Sequence, residues 1–353
     1  MADQDRQGNG SIQQQQEWTK HPHLYYKDGI IVLLADSRIL FKVYSGILCE
    51  ESEVFLNMMA GTGQLPKNGE TYDECPLVRL ADDPKILGYF LESLMGKINL
   101  LGPASSVDSE SFVIALGILH LSHKYMASRH MTPAVRWFAR IIPEDFDNAK
   151  QMDAQFSFSP WYAFIWNCLV MSTAPKGSVV KMDVAAIFLK CGLYRFLPWT
   201  LYMISSYGSS LCLPERLLNI EETPLPLPKW VMERLIPGRQ RLENLYFKNI
   251  WKVVKATHPN CTGKYSCNET LRLDLLERLT QTPTLMWLRP SGIPLKASLN
   301  SKDSSTSFVL PDGGKMIECR LPCMVCRKLW LEKSEVLVEK AWLELPKIFG
   351  LPG

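Results

Sequence analysis

Cys261 and Cys267 stand with five residues between them, and Cys323 and Cys326 form a Cys-x-x-Cys pair. The second spacing lets two thiolates reach one ion, and four sulfurs from two such segments make the tetrahedral donor set that zinc accepts. The spacing therefore points to a structural zinc site on Cys261, Cys267, Cys323 and Cys326, with His258 and Cys319 as spare ligands. Four sulfur ligands leave no position open for water, so such a metal would tie chain segments together and cut no bond. Residues 268 to 322 separate the two pairs, so the site requires a fold that returns the chain upon itself. The alternative is a set of buried free thiols, or a crosslink made of sulfur alone.

Other chemistry finds little support. A nucleophilic cysteine would need a base, and the candidates His120, His123 and His130 have no cysteine near them in sequence. Phosphate-binding loops, the dinucleotide turn, the His-Glu-x-x-His pair and the nucleophile elbow are all missing. No catalysis is expected. The aromatic group Trp161, Tyr162, Phe164 and Trp166 reads as the core of a helical layer. With 39 basic against 36 acidic residues the net charge is only +3, which argues against nucleic acid as a partner. The most apolar windows, Trp161 to Met171 and Val184 to Ile204, are too short for a membrane span or are broken by Lys190 and Arg195. Without a secretory segment, the expected location is the cytoplasm or nucleus, where cysteines stay reduced.

The elements that must position these residues follow from periodicity. A polar, Gln-rich leader over 1–22 reads as disordered. Ile30 to Leu34 and Arg38 to Tyr44 are two β-rich runs around a turn at Asp36-Ser37, hence a hairpin. Ser45 to Ala60 has helical spacing, with Ser52 and Glu53 starting a second short helix. Leu77 to Ala81 is a third strand, and Asp82-Asp83-Pro84 caps a helix that stops near Gly96. Phe112 to Tyr125 and Met131 to Ile142 are further helices. Beyond residue 143 the patterns are helical, at Trp161 to Met171, Met182 to Leu189, Tyr194 to Ser205, Arg239 to Val254, Leu271 to Leu279 and Lys333 to Leu343, with few strands. Glu222 to Pro228 and a mobile stretch near 290–314 read as exposed connections.

Several short motifs in this order resemble the BTB (POZ) domains found in basidiomycete fungi. They are His23-Leu24-Tyr25-Tyr26-Lys27-Asp28-Gly29, Phe41-Lys42-Val43-Tyr44, Leu48 with Ser52-Glu53-Val54-Phe55, Pro76 through Pro84, and Leu121-Ser122-His123-Lys124-Tyr125. Phe41 and Val43 are expected to face the core and Lys42 to face out. His258-Pro259-Asn260-Cys261, Cys323-Met324-Val325-Cys326-Arg327 and the closing Ala341 to Leu351 resemble the helical C-terminal extension of such proteins. The resemblance implies an α/β BTB domain over 23–142 followed by an all-α C-terminal domain over 143–353.

It also implies function by binding. BTB domains pair with themselves or with other proteins, which makes a homodimer the first expectation. The expected docking surface is apolar, on the hairpin and the following helices, with Ile31, Leu33, Ile47, Val54 and Met58 as its residues. Some BTB proteins recruit a cullin-type ubiquitin ligase through a hydrophobic-x-Glu pattern before the third strand, and Tyr72-Asp73-Glu74 fits it. A zinc-bearing transcriptional or chromatin regulator is the alternative reading.

Overall fold

A computed structural model describes residues 18–60, 70–102, 108–155, 184–206, 229–256, 258–261, 267, 305–308, 317–320 and 323–352. The chain divides into two compact units, Met1–Gly102 with Gly117–Pro133, and Pro103–Leu116 with Ala134–Gly353. A small mixed sheet with short helices comes first and a mainly helical stretch follows, so the broad α/β-then-α order is as expected.

In the first unit, β1 (Thr19–Tyr25), β2 (Ile31–Ala35), β3 (Ile39–Val43), β4 (Thr71–Tyr72) and β5 (Cys75–Leu80) form one sheet of order β1-β3-β2-β5-β4. β2 and β3 are the expected hairpin, with Ile31 opposite Val43 and Leu33 opposite Phe41. Asp36 and Ser37 turn it with φ of 44° and 53°, the left-handed pair that matches the twist of two hairpin strands. Two strands were not expected. β1 begins inside the supposed leader and runs parallel to β3, with a register shift between Lys20 and Tyr25. It contains Pro22, which an edge strand accommodates because one side of its backbone need not pair. β4 is a two-residue strand whose turn into β5 uses Asp73 and Glu74 at φ of 52° and 62°.

β2 and β5 lie parallel, so the chain needs a crossover between the hairpin and β5. α1 (Ser45–Glu51) and α2 (Glu53–Ala60) supply it. Ser52 breaks the two apart: its hydroxyl accepts from Phe55 N at 3.2 Å and donates to Tyr125 O at 2.6 Å. α3 (Pro84–Leu94) starts as expected, since the Asp83 carboxylate accepts from Lys85 N and Ile86 N at 2.9 and 3.1 Å. It stops at Gly96, whose φ is +70°. α4 (Ser109–Lys124) and α5 (Ser128–Ala139) complete this stretch.

The expectation for Lys42 needs correcting. Alternation along β3 holds, but Lys42 is buried because the sheet face it shares with Leu40 is itself covered. Val32, Leu34, Leu40, Cys75 and Leu77 form a small core there, roofed by Trp18, Tyr25 and Tyr72. The lysine stem lies in this layer and its Nζ reaches the Asp73 carboxylate at 3.1 Å. Gly29 is required by the same stem: a Cβ there would meet Lys42 Cγ at 2.9 Å. On the opposite face Phe41 stacks on His21 with ring centroids 4.8 Å apart.

The second unit contains α6 (Phe146–Gln155), α7 (Val184–Lys190), α8 (Leu197–Ser206), α9 (Lys229–Val254) and α10 (Met324–Ile348). Phe138 forms edge-to-face contacts with Phe112, Trp137 and Phe188 at 5.1 to 5.5 Å. Trp199 stacks on Trp342 at 4.7 Å. α9 and α10 are longer than their apolar spacing suggested, and each contains a proline, Pro237 and Pro346. A hairpin of β6 (Ser305–Phe308) and β7 (Ile317–Arg320) pairs Thr306 with Cys319. It is a short pair of strands in a region where few were expected, and β6 falls within the stretch 290–314 read as an exposed connection. The helices read at Trp161 to Met171 and Leu271 to Leu279 lie outside the described residues, as does the connection at Glu222 to Pro228.

Candidate metal centre

α9 and α10 run antiparallel, and two hydrogen bonds fix the pairing. Trp330 Nε1 near the start of α10 donates to Ala256 O just past the end of α9, at 2.7 Å. Arg241 Nη1 donates to Ile348 O at the far end of α10, at 2.8 Å. Cys261 and Cys267 leave the C-terminal end of α9, while Cys323 caps the N-terminus of α10 and Cys326 lies in its first turn. Antiparallel packing thus brings the two cysteine segments to the same end of one helix pair, although residues 268 to 322 part them in sequence.

The four sulfurs lie within 4.8 Å of one another. Cys261 Sγ is 3.5 Å from Cys267 Sγ and 3.7 Å from Cys323 Sγ. A zinc–sulfur bond of about 2.3 Å puts the sulfurs of a regular tetrahedron about 3.8 Å apart, so these sulfurs already stand at the spacing of one zinc ion. A cluster of several irons spreads its cysteines over different metals and needs a wider frame. Backbone N–H groups point at the sulfurs as well. Cys323 N donates to Cys267 Sγ at 3.5 Å and the His258 N–H bonds to Cys326 Sγ. Such donors favour thiolate over thiol and orient the ligands.

Electrostatics without a cation runs the other way. Burial pushes the Cys326 thiol up to about 12, and the sulfurs of Cys261, Cys323 and Cys267 add to that shift against the His258 N–H. Burial also raises Cys267. Four sulfurs packed this closely cannot all ionise without a positive charge among them. A divalent ion held among them would supply that charge, and the donor set fits zinc.

The residues expected to act elsewhere are placed as follows. His258 lies outside the four-sulfur group: its backbone N–H serves Cys326, and its ring Nδ1 accepts from Asn260 N at 3.1 Å. Cys319 lies in β7. Ile31 and Leu33, expected on a docking surface, are 2% and 0% exposed. They share a sheet face with Phe41 and Val43 and belong to the unit's own core. Ile47 and Val54 are half-buried, whereas Met58 is 37% exposed and its neighbour Leu56, which the sequence reading missed, 47%. Tyr72 packs into the Trp18 layer, and Glu74 is exposed in the β4–β5 turn.

Sequence reasoning also missed a hydrogen-bonded chain in the first unit. Ser93 Oγ lies 2.9 Å from His130 Nδ1, and His130 Nε2 lies 3.2 Å from the Glu51 carboxylate, which Arg129 also contacts. The chain ties α1, α3 and α5 together. Ser93 is buried in a regular helix, so the arrangement serves as a clamp. Its members come from three separate elements, and no local spacing announces them.

No protein-family model, curated protein or solved structure matches this chain. Among the described residues no helix is long and apolar enough to cross a membrane.

Proposed function

We propose that this chain is a non-enzymatic protein-interaction module of the BTB type, with a structural zinc ion pinning the helices that follow. The observation that carries the binding reading is the exposure of two large apolar side chains on α2, Leu56 and Met58, with Val54 of the same helix and Ile47 of α1 half-buried. Exposed neighbours of this kind gain by being covered, at about 25 cal/mol for each Å² removed from water. The partner is a second copy of the chain, docked through this patch. The zinc reading rests on four sulfurs at single-ion spacing. With no water position it gives rigidity and no catalysis.

Light scattering coupled to size exclusion tests the docking. The wild-type chain should run at twice its own mass, and L56E combined with M58E should halve that mass while leaving the melting temperature in place. A wild type that stays monomeric at every concentration, or a double variant that stays dimeric, removes this surface as the interface. Recruitment of a cullin is the further form of the same reading, through Tyr72 and the exposed Glu74; E74A should then lose a co-purifying cullin.

A further inference from the structure

α10 carries a second stripe besides the one it buries. Trp330, Val338, Ala341 and Leu345 are buried in the helical unit. Leu329, Lys333, Val336, Lys340, Leu343 and Lys347 follow one another at alternating steps of four and three residues, the spacing that lines one side of a helix as a coiled-coil seam. Val336 is 49% and Leu343 77% exposed, and the three lysines are exposed with them. The seam borders a groove against α9, where Lys252, Leu329, Glu332, Lys333, Val336 and Leu337 line a cavity of about 350 Å³.

Length and charge together say what fits this face. From Leu329 to Leu343 the seam runs about 21 Å at 1.5 Å per residue, farther than a small molecule seated in the cavity would cover. Among the described residues Lys252, Lys333, Lys340 and Lys347 have no ion-pair partner. Glu332 and Glu339 stand beside the seam, and Glu332 is already met by Lys328 at 4.0 Å. A second copy of α10 is a poor occupant: two such seams laid parallel set lysine against lysine, and laid antiparallel they set each lysine against an apolar residue. We propose that the seam docks a helix of another protein, one with apolar residues every seven positions and Asp or Glu at the seam positions between them. Its apolar side chains cover Val336 and Leu343 and enter the cavity beside Leu337, and its carboxylates meet Lys252, Lys333 and Lys340. This docking needs neither the α2 surface nor the metal.

Fluorescence anisotropy on the full-length chain tests this with two labelled peptides of three heptads. Both carry leucine at one seam position of each heptad and alanine and glutamine outside the seam, for helicity; the other seam position is glutamate in one peptide and lysine in its twin. The wild-type chain should bind the glutamate peptide at least tenfold more tightly than the lysine peptide. K333E combined with K340E, both on exposed side chains, should invert that preference, a gain of binding that a misfolded variant could not give. V336S combined with L343S should weaken the glutamate peptide at least tenfold, whereas L56E combined with M58E should leave it unchanged. Equal binding of the two peptides, no inversion in the charge-reversed chain, or loss of binding in the α2 variant overturns the proposal. Vesicles of phosphatidylcholine with phosphatidylserine form a further arm: a chain that binds these through the same lysines and ignores the glutamate peptide has a lipid surface as its partner, and the helix proposal falls.

Discussion

Asp73 shows how much one turn residue can carry. It sits at φ 52° in the β4–β5 turn, and its carboxylate accepts from Tyr25 OH at 2.9 Å and from Lys42 Nζ at 3.1 Å. Hydrogen bonds from Lys42 and then Tyr25 hold its pKa below the usual carboxylate range, and Lys42 is raised in return, chiefly by Asp73. The direction fixes a pH signature. A carboxyl whose folded pKa lies below its unfolded one contributes stability that is fully present above the unfolded value and lost as pH falls through the folded value. In the wild type the urea midpoint should therefore drop as pH is lowered through and below the ordinary Asp range. In D73N that acid limb should be shallower, and the midpoint at neutral pH lower, since Lys42 loses its charged partner. Parallel acid limbs in the two proteins would show that Asp73 contributes no such linkage.

At the scale of the element, the α9–α10 pair depends on one missing methyl group. A Cβ on Gly238 would stand 2.4 Å from Phe349 Cδ1 and 2.6 Å from its Cε1, and Phe349 is fully buried. Replacing a helical glycine by alanine ordinarily stabilises by roughly 1 kcal/mol, and Gly46 in α1, with nothing within 4 Å of its Cβ position, should show that gain. G238A should reverse the sign and cost about 1–3 kcal/mol, because the ring is forced out of a packed site. Denaturant titration of both variants reads the contrast directly, and equal effects would mean that Phe349 moves aside freely. The elements themselves were legible in proportion to how local their causes are. The Asp36-Ser37 turn, the Asp83 cap, the Ser52 break and the Gly96 stop are each written within a few residues, and all stand as read. β1 and β4 were not legible, since Thr19 to Tyr25 is polar and contains Pro22, and a two-residue strand carries no pattern; both exist through pairing with β3 and β5. Lys42 misled for the same reason, because alternation says which side chains share a face but not that Trp18, Tyr25 and Tyr72 cover it.

For the whole molecule, the question is what joins Cys261 to Cys326 when neither is near the other in sequence. Spacing named the four sulfurs, but their convergence comes from the antiparallel register of α9 and α10, held by Trp330 on Ala256 O and Arg241 on Ile348 O. That register is a property of tertiary packing, and no local spacing encodes it. A metal that closes the free end of such a pair stabilises the folded state by its binding free energy, since the unfolded chain offers no formed site. Cys326→Ser should abolish stoichiometric zinc in elemental analysis and destabilise the helical unit by at least about 3 kcal/mol, as losses of a structural metal do. Cys75→Ser removes another buried thiol, one that is not among the four clustered cysteines, and should leave the zinc in place. Hydrogen exchange would locate the effect: in the Cys326 variant, amides near Ala256 and at the start of α10 should exchange faster, while those shared by β2 and β3 keep their protection. If both variants retain one zinc, or if the Cys326 variant loses none of its stability, the sulfurs meet for packing alone and the helix pair holds its end without a metal.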